Sequence, residues 1–115
     1  MPYTIQEEKT FAVSKQALIK AALGAIAGLE GEVLKQDADS GRIVAKFKKT
    51  ILGKVLGDRS QLEIDFESLT PDESRLEMTI FPINPIGQPL QFGARKGVSR
   101  TVLTWFIAHV EHRLK

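Results

Sequence analysis

The stretch Ser60-Gln61-Leu62-Glu63-Ile64-Asp65-Phe66-Glu67-Ser68 decides the fold, because its apolar and charged residues alternate without a slip. A strand that buries one face and wets the other is written this way. Its inner face is Leu62, Ile64 and Phe66; its outer face is Gln61, Glu63, Asp65 and Glu67. Before it, residues 42–48 repeat the pattern with Ile43, Ala45 and Phe47 inward and Arg42, Lys46 and Lys48 outward. After it, the turn Thr70-Pro71-Asp72-Glu73 leads into a strand whose inner face is Leu76, Met78 and Ile80, with Pro82 expected to end it. The basic outer face of one strand and the acidic outer face of the next predict antiparallel neighbours whose charges pair.

Further out, residues 32–36 read as a short strand joined to 42–48 by the turn Asp37-Ala38-Asp39-Ser40-Gly41. Residues 4–13 favour extension, with Ile5, Phe11 and Val13 on one parity and Thr4, Gln6, Glu8 and Thr10 on the other. Between these strands, Ser14 is an N-cap for a helix reaching to about Leu29, in which Leu18, Ala22, Ala25, Ile26 and Leu29 recur at helical spacing and Gly28 and Gly31 flank the exit. A second helix, expected from about Ala94 to Leu114, gathers Val98, Val102, Trp105, Phe106, Val110 and Leu114 on one face. The predicted order is strand, helix, four strands, helix. Two amphipathic helices covering one face of an antiparallel sheet make an α+β two-layer sandwich.

That order resembles one repeat of the TATA-box-binding protein and, in pared-down form, the START-type helix-grip proteins. The run Asp39-Ser40-Gly41-Arg42-Ile43-Val44-Ala45-Lys46 is similar to a turn and strand of small uncharacterised bacterial proteins of this shape. The resemblance implies a fold and carries no functional residue with it.

With 115 residues, 43% of them hydrophobic, the chain has material for one core and one domain. It contains no cysteine, which removes disulfides and thiolate metal sites and suits a cytoplasmic location. The opening Met1-Pro2-Tyr3-Thr4-Ile5-Gln6-Glu7-Glu8 has neither the basic head nor the apolar body of a signal peptide, and no run approaches the ~20 apolar residues of a membrane span. A net charge of +2 is too small to imply a polyanionic partner, and the expected outer face mixes Lys and Arg with Glu and Asp without an aromatic platform, so nucleic-acid binding is not expected.

No catalytic constellation stands out, and the expected protein is not an enzyme and needs no cofactor. His109 and His112 have a spacing that can share a metal, but no third ligand accompanies them and a helix C-terminus favours histidine by its dipole alone. Asp37, Asp39 and Gly41 open like a calcium loop, yet the closing bidentate Glu and flanking helices are missing, so a hairpin turn accounts for them. Glu63, Asp65 and Glu67 face the open side of the sheet opposite cations, where the desolvation that acid/base chemistry uses is lacking.

Three features point to binding. An apolar space between the sheet and the last helix would be lined by Phe47, Phe66, Met78, Ile80, Trp105 and Phe106, with the apolar, proline-rich residues 81–90 as a lid over a small apolar ligand. The segment Thr50-Ile51-Leu52-Gly53-Lys54-Val55-Leu56-Gly57 carries Ile51, Leu52, Val55 and Leu56 in a connection beside Lys48, Lys49 and Arg59. It either folds onto the core or stays exposed as a docking loop for a membrane surface or protein partner. The ridge Ala17, Ala21, Gly24 and Gly28 on the first helix would be covered by the other helix or by a second subunit, a closed homodimer being the expected assembly. The function expected is a binding or interaction module for an apolar ligand; a self-associating structural protein without ligand is the alternative.

Overall fold

The computed structural model describes residues 3–37 and 39–115; Ala38, in the expected turn, and Met1 and Pro2 lie outside them. The elements run β1 (Ile5–Phe11), α1 (Lys15–Gly28), β2 (Glu32–Asp37), β3 (Arg42–Phe47), β4 (Thr50–Ile51), β5 (Lys54–Val55), β6 (Arg59–Thr70), β7 (Glu73–Ile83) and α2 (Val98–Arg113). Five strands form one antiparallel sheet in the order β1-β7-β6-β3-β2, and β4 and β5 form a small hairpin of their own. The α+β two-layer sandwich is therefore borne out, with the segment 50–57 as an extra hairpin among the four expected strands.

The alternation read from the sequence sets the sheet's inner face. Ile43, Ala45 and Phe47 of β3, Leu62, Ile64 and Phe66 of β6, and Leu76, Met78 and Ile80 of β7 are all buried in one cluster with Leu18, Ala22, Ala25 and Ile26 of α1 and Val102, Leu103, Phe106 and Val110 of α2. On the outer face Arg42 donates to both carboxylate oxygens of Asp65 at 3.1 and 2.9 Å and to Glu63 at 3.1 Å. These hydrogen bonds, that to Asp65 foremost, hold the Arg42 guanidinium above its ordinary pKa. Lys46 pairs instead with Glu32, and Glu67 and Glu77 pair with Arg75. At the β2–β3 turn the Asp37 carboxylate accepts the Ser40 and Asp39 N–H groups, which hold its pKa below the usual carboxylate value.

The ends of two elements differ from expectation. Pro82 does not end β7; the strand runs to Ile83, with Pro82 opposite Ser60. The Pro82 carbonyl accepts from Leu90 N–H at 3.0 Å, so this residue's ladder groups point away from β6, toward an edge that β1 has not reached, and the missing N–H costs no bond. Residues 84–90 turn back along that edge. Asn84 N–H donates to the Gln88 carbonyl at 2.8 Å, and the Asn84 side chain accepts the Ile86 and Gln88 N–H groups at 3.0 and 2.9 Å. The proline-rich segment leans on β7 itself and buries Phe81, Pro82 and Ile83 together. The second helix begins at Val98 rather than near Ala94 because Gly93 and Gly97 adopt left-handed backbone angles and Arg95 N–H is held by Asp58 Oδ2 at 2.6 Å. The first helix starts as expected, with Ser14 Oγ accepting Ala17 N–H at 3.2 Å.

Candidate functional site

The six residues expected to line a ligand space are not gathered around one. Phe47, Phe66, Met78, Ile80 and Phe106 are buried in the shared core, and only Trp105, half-buried, lies at its margin. Large side chains of matching parity on facing layers interdigitate, and that fills the interior between the middle of the sheet and α2. Leu103, absent from the expected face of α2, is fully buried with them.

Space opens instead where the β4–β5 hairpin meets the helices. A cleft of about 360 Å³ is bounded by Leu29 at the end of α1, Ile51, Leu52 and Lys54 of the hairpin, and Trp105, Ala108 and His109 of α2. Its walls are mostly apolar, and Lys54 and His109 are the lining residues that carry polar groups, a composition common to small-molecule sites. The hairpin holds this position through both of its faces. Both alternatives for this segment are met in part: Ile51 is fully buried and Leu56 half-buried, folded onto the core, whereas Leu52 and Val55 are exposed. A two-residue strand has one inward position, which Ile51 fills, and Leu56 N–H and Gly57 N–H close the hairpin onto the Lys49 carbonyl at 2.7 and 3.1 Å.

Two left-handed residues meet at the same place. Among the described residues the non-glycine positions with positive φ are Glu30 at 61° and Leu52 at 50°. The two are bonded to each other, Leu52 N–H donating to Glu30 Oε1 at 2.7 Å. Leu52 and Gly53, both at positive φ, are the two-residue turn between β4 and β5, and Glu30 takes the left-handed position that closes the end of α1. Their hydrogen bond ties the end of α1 to the tip of the hairpin, beside Leu29 and Leu52 of the cleft wall. Nothing in the sequence marks this pair, since Glu30 and Leu52 are 22 positions apart and neither is a left-handed former.

A second cleft, of about 490 Å³, lies at the same end of the sheet beneath the turn formed by Asn84 to Gly87, with Lys46, Lys48, Arg59, Gln61, Glu32 and Ile86 among its walls. The ridge on α1 is partly covered within the chain: a side chain at Gly24 would meet the Arg113 guanidinium at 2.8 Å and one at Gly28 would meet His109 Nδ1 at 3.2 Å. These glycines therefore seat the last turns of α2, with Ala21 buried beside them and Ala17 exposed. His109 borders the apolar cleft while His112 lies in the shallow groove between the helices. Among the described residues no group of three His, Asp or Glu side chains is placed to hold a metal ion, and no helix is long and apolar enough to cross a membrane.

No protein-family model matches the chain, and no curated protein matches it. Solved structures do. The chain is similar to an HSP90 activator from Plasmodium falciparum, with 15% identity, a TM-score of 0.62 and coverage of 97% of this chain and 96% of the other. It is similar to the di-domain ARO/CYC protein StfQ from the steffimycin biosynthetic pathway, with 11% identity and a TM-score of 0.61, where 92% of this chain spans 43% of the larger one. A START superfamily protein from Mycobacterium smegmatis shares 8% identity at a TM-score of 0.50, covering 97% of this chain and 94% of its own. Identities this low establish fold and no more. The START-type helix-grip resemblance drawn from the element order is borne out at that level: an antiparallel sheet, not closed into a barrel, gripping a C-terminal helix.

Proposed function

We propose that the protein is a non-catalytic binding module that takes a small apolar molecule into the cleft between the β4–β5 hairpin and α2. The observation that carries this reading is the cleft itself: about 360 Å³, walled by Leu29, Ile51, Leu52, Trp105 and Ala108, with the Glu30–Leu52 hydrogen bond tying the hairpin to the end of α1 beside it. Its volume is at the lower end of the range used by small-molecule sites, roughly 300 to 1,000 Å³, so the ligand is small or enters by one end only. Lys54 and His109 at the rim favour a polar or anionic head on an apolar body. The helix-grip fold of the neighbours supports a binding role, and the cleft supports the apolar class of ligand.

Trp105 is the only tryptophan of the chain and stands in the wall, so its emission reports occupancy directly. Titration with medium-chain fatty acids and with aromatic carboxylates is expected to give a saturable change in that emission. Ala108→Phe, at an exposed position of α2, fills the cleft from the helix side and is expected to weaken binding about tenfold or more, a loss of ~1.4 kcal/mol. A response that never saturates, or one that Ala108→Phe leaves unchanged, overturns the proposal.

A further inference from the structure

We propose that the end of the molecule formed by the β4–β5 hairpin and residues 84–97 docks on an anionic lipid surface. The four most exposed large hydrophobic side chains among the described residues all belong to it: Phe92 at 84%, Val55 at 79%, Ile86 at 78% and Leu52 at 57%. They come from two segments far apart in sequence that the fold brings to one end. The hairpin follows β3, which ends at Phe47 opposite Ser60, and the segment 84–97 follows β7, which ends at Ile83 opposite Arg59. Arg95 then ties the two together, its N–H bonded to Asp58 and its side chain packed over Gly57 at the exit of the hairpin.

The charge at this end is uncommitted. Lys48, Lys49, Lys54, Arg59, Arg95 and Lys96 take part in no ion pair among the described residues; the other unpaired cations, Lys15, Lys20, Lys35, Arg113 and Lys115, belong to β2 and to α1 and the end of α2. Against the first six of these cations and Lys46, the same end carries three acids, Asp58, Glu30 and Glu32, so positive charge is in excess there. Farther along the outer face of the sheet acids outnumber cations, with Glu8, Glu63, Asp65, Glu67 and Glu77 on β1, β6 and β7 against Arg42 and Arg75, which pair with four of them. The molecule is therefore electrically polarised, and an anionic plane would draw the hairpin end toward itself and repel the acidic rows.

A bilayer suits this pattern better than a folded partner. Four apolar tips on two separate segments with cations between them do not form the continuous desolvated centre that a protein interface requires, while lipid headgroups accommodate tips at any spacing. A single-stranded nucleic acid would want several stacking platforms in a groove, and Phe92 is the one exposed aromatic side chain of the end. Each cation near an anionic leaflet contributes about fivefold to binding, and the contribution falls off within a Debye length. The inference does not require a ligand in the apolar cleft.

The test is sedimentation of the full chain with phosphatidylcholine vesicles and with vesicles containing phosphatidylserine. Binding is expected to the anionic vesicles, to be weak with the neutral ones, and to fall steeply as salt rises. The double variant Val55→Asp with Phe92→Asp, at two exposed side chains outside the cleft, is expected to lower vesicle binding by about tenfold or more while leaving the Trp105 ligand titration and the thermal transition unchanged. Lys49→Glu with Lys96→Glu should do the same through charge. Equal recovery with both vesicle types, no recovery with either, or wild-type recovery of both double variants overturns the proposal. Complete displacement from the vesicles by an equal charge of single-stranded oligonucleotide, with the aspartate variant still bound, would assign the end to polyanions in general and also overturn it.

Discussion

Two buried serines on the inner face show how one residue type takes opposite energetic signs. Ser74 Oγ donates to the Val13 carbonyl at 2.8 Å and ties the end of β1 to the start of β7. Ser60, equally buried, has a hydroxyl with no hydrogen-bond partner. Removing a made bond loses it and leaves the Val13 carbonyl unpaired, whereas removing an unmade one relieves a desolvation cost. Ser74→Ala is expected to destabilise by about 1 kcal/mol and Ser60→Ala to be neutral or to stabilise by up to about 1 kcal/mol. Urea denaturation midpoints at constant slope measure both; a Ser60→Ala protein less stable than wild type by as much as Ser74→Ala would show that the Ser60 hydroxyl has a partner. At the same scale, Gly31 is fixed by contact: a side chain there would meet the Phe47 ring at 2.6 Å, so the chain can pass this close to the core only as glycine.

At the scale of elements, α1 is a helix with glycines at interior positions, and the contacts around them differ. A methyl group at Gly24 would meet the end of Arg113, a flexible side chain that is itself exposed and free to swing aside. The gain from replacing a helix-interior glycine by alanine then dominates, and Gly24→Ala is expected to stabilise by about 0.5 to 1 kcal/mol. The thermal midpoint of this variant against wild type decides it. A fall would mean that the Arg113 guanidinium is held on the glycine by interactions worth more than the helix propensity. The end of α1 also fixes the hairpin: Glu30, two residues beyond Gly28, accepts the Leu52 N–H and so ties the hairpin tip to the exit of the helix.

For the molecule as a whole, the sheet is secured from its centre outward. β6 and β7 are the longest strands and pair along almost their full length. β2 is an edge strand, exposed from Glu32 to Gln36 and interrupted by a bulge between Val33 and Lys35. Hydrogen exchange is accordingly expected to be slowest for the β6–β7 amides and orders of magnitude faster for β2 and the β4–β5 hairpin, as low local burial permits opening without global unfolding. Protection of β2 equal to that of β6 would point to a partner covering that edge, since an unpaired bulged edge cannot supply it.

The sequence by itself determined the α+β sandwich, the inner faces of β3, β6 and β7, the Ser14 cap of α1 and the turn between β6 and β7. These follow from period and local chemistry, which act between residues a few positions apart: the alternation through Leu62, Ile64 and Phe66 can be satisfied only by a half-buried strand. Other features needed the tertiary structure. Pro82 continues a strand because of where β1 starts, and Phe47, Phe66 and Phe106 fill a core where the same residues could as well have walled a cavity. Ile51 is buried while Leu52 and Val55 are exposed because a hairpin docks one face, and the cleft beside Trp105 lies where that hairpin meets the two helices. Contacts of this kind join segments with no shared periodicity, and their geometry is set only when the whole chain has packed.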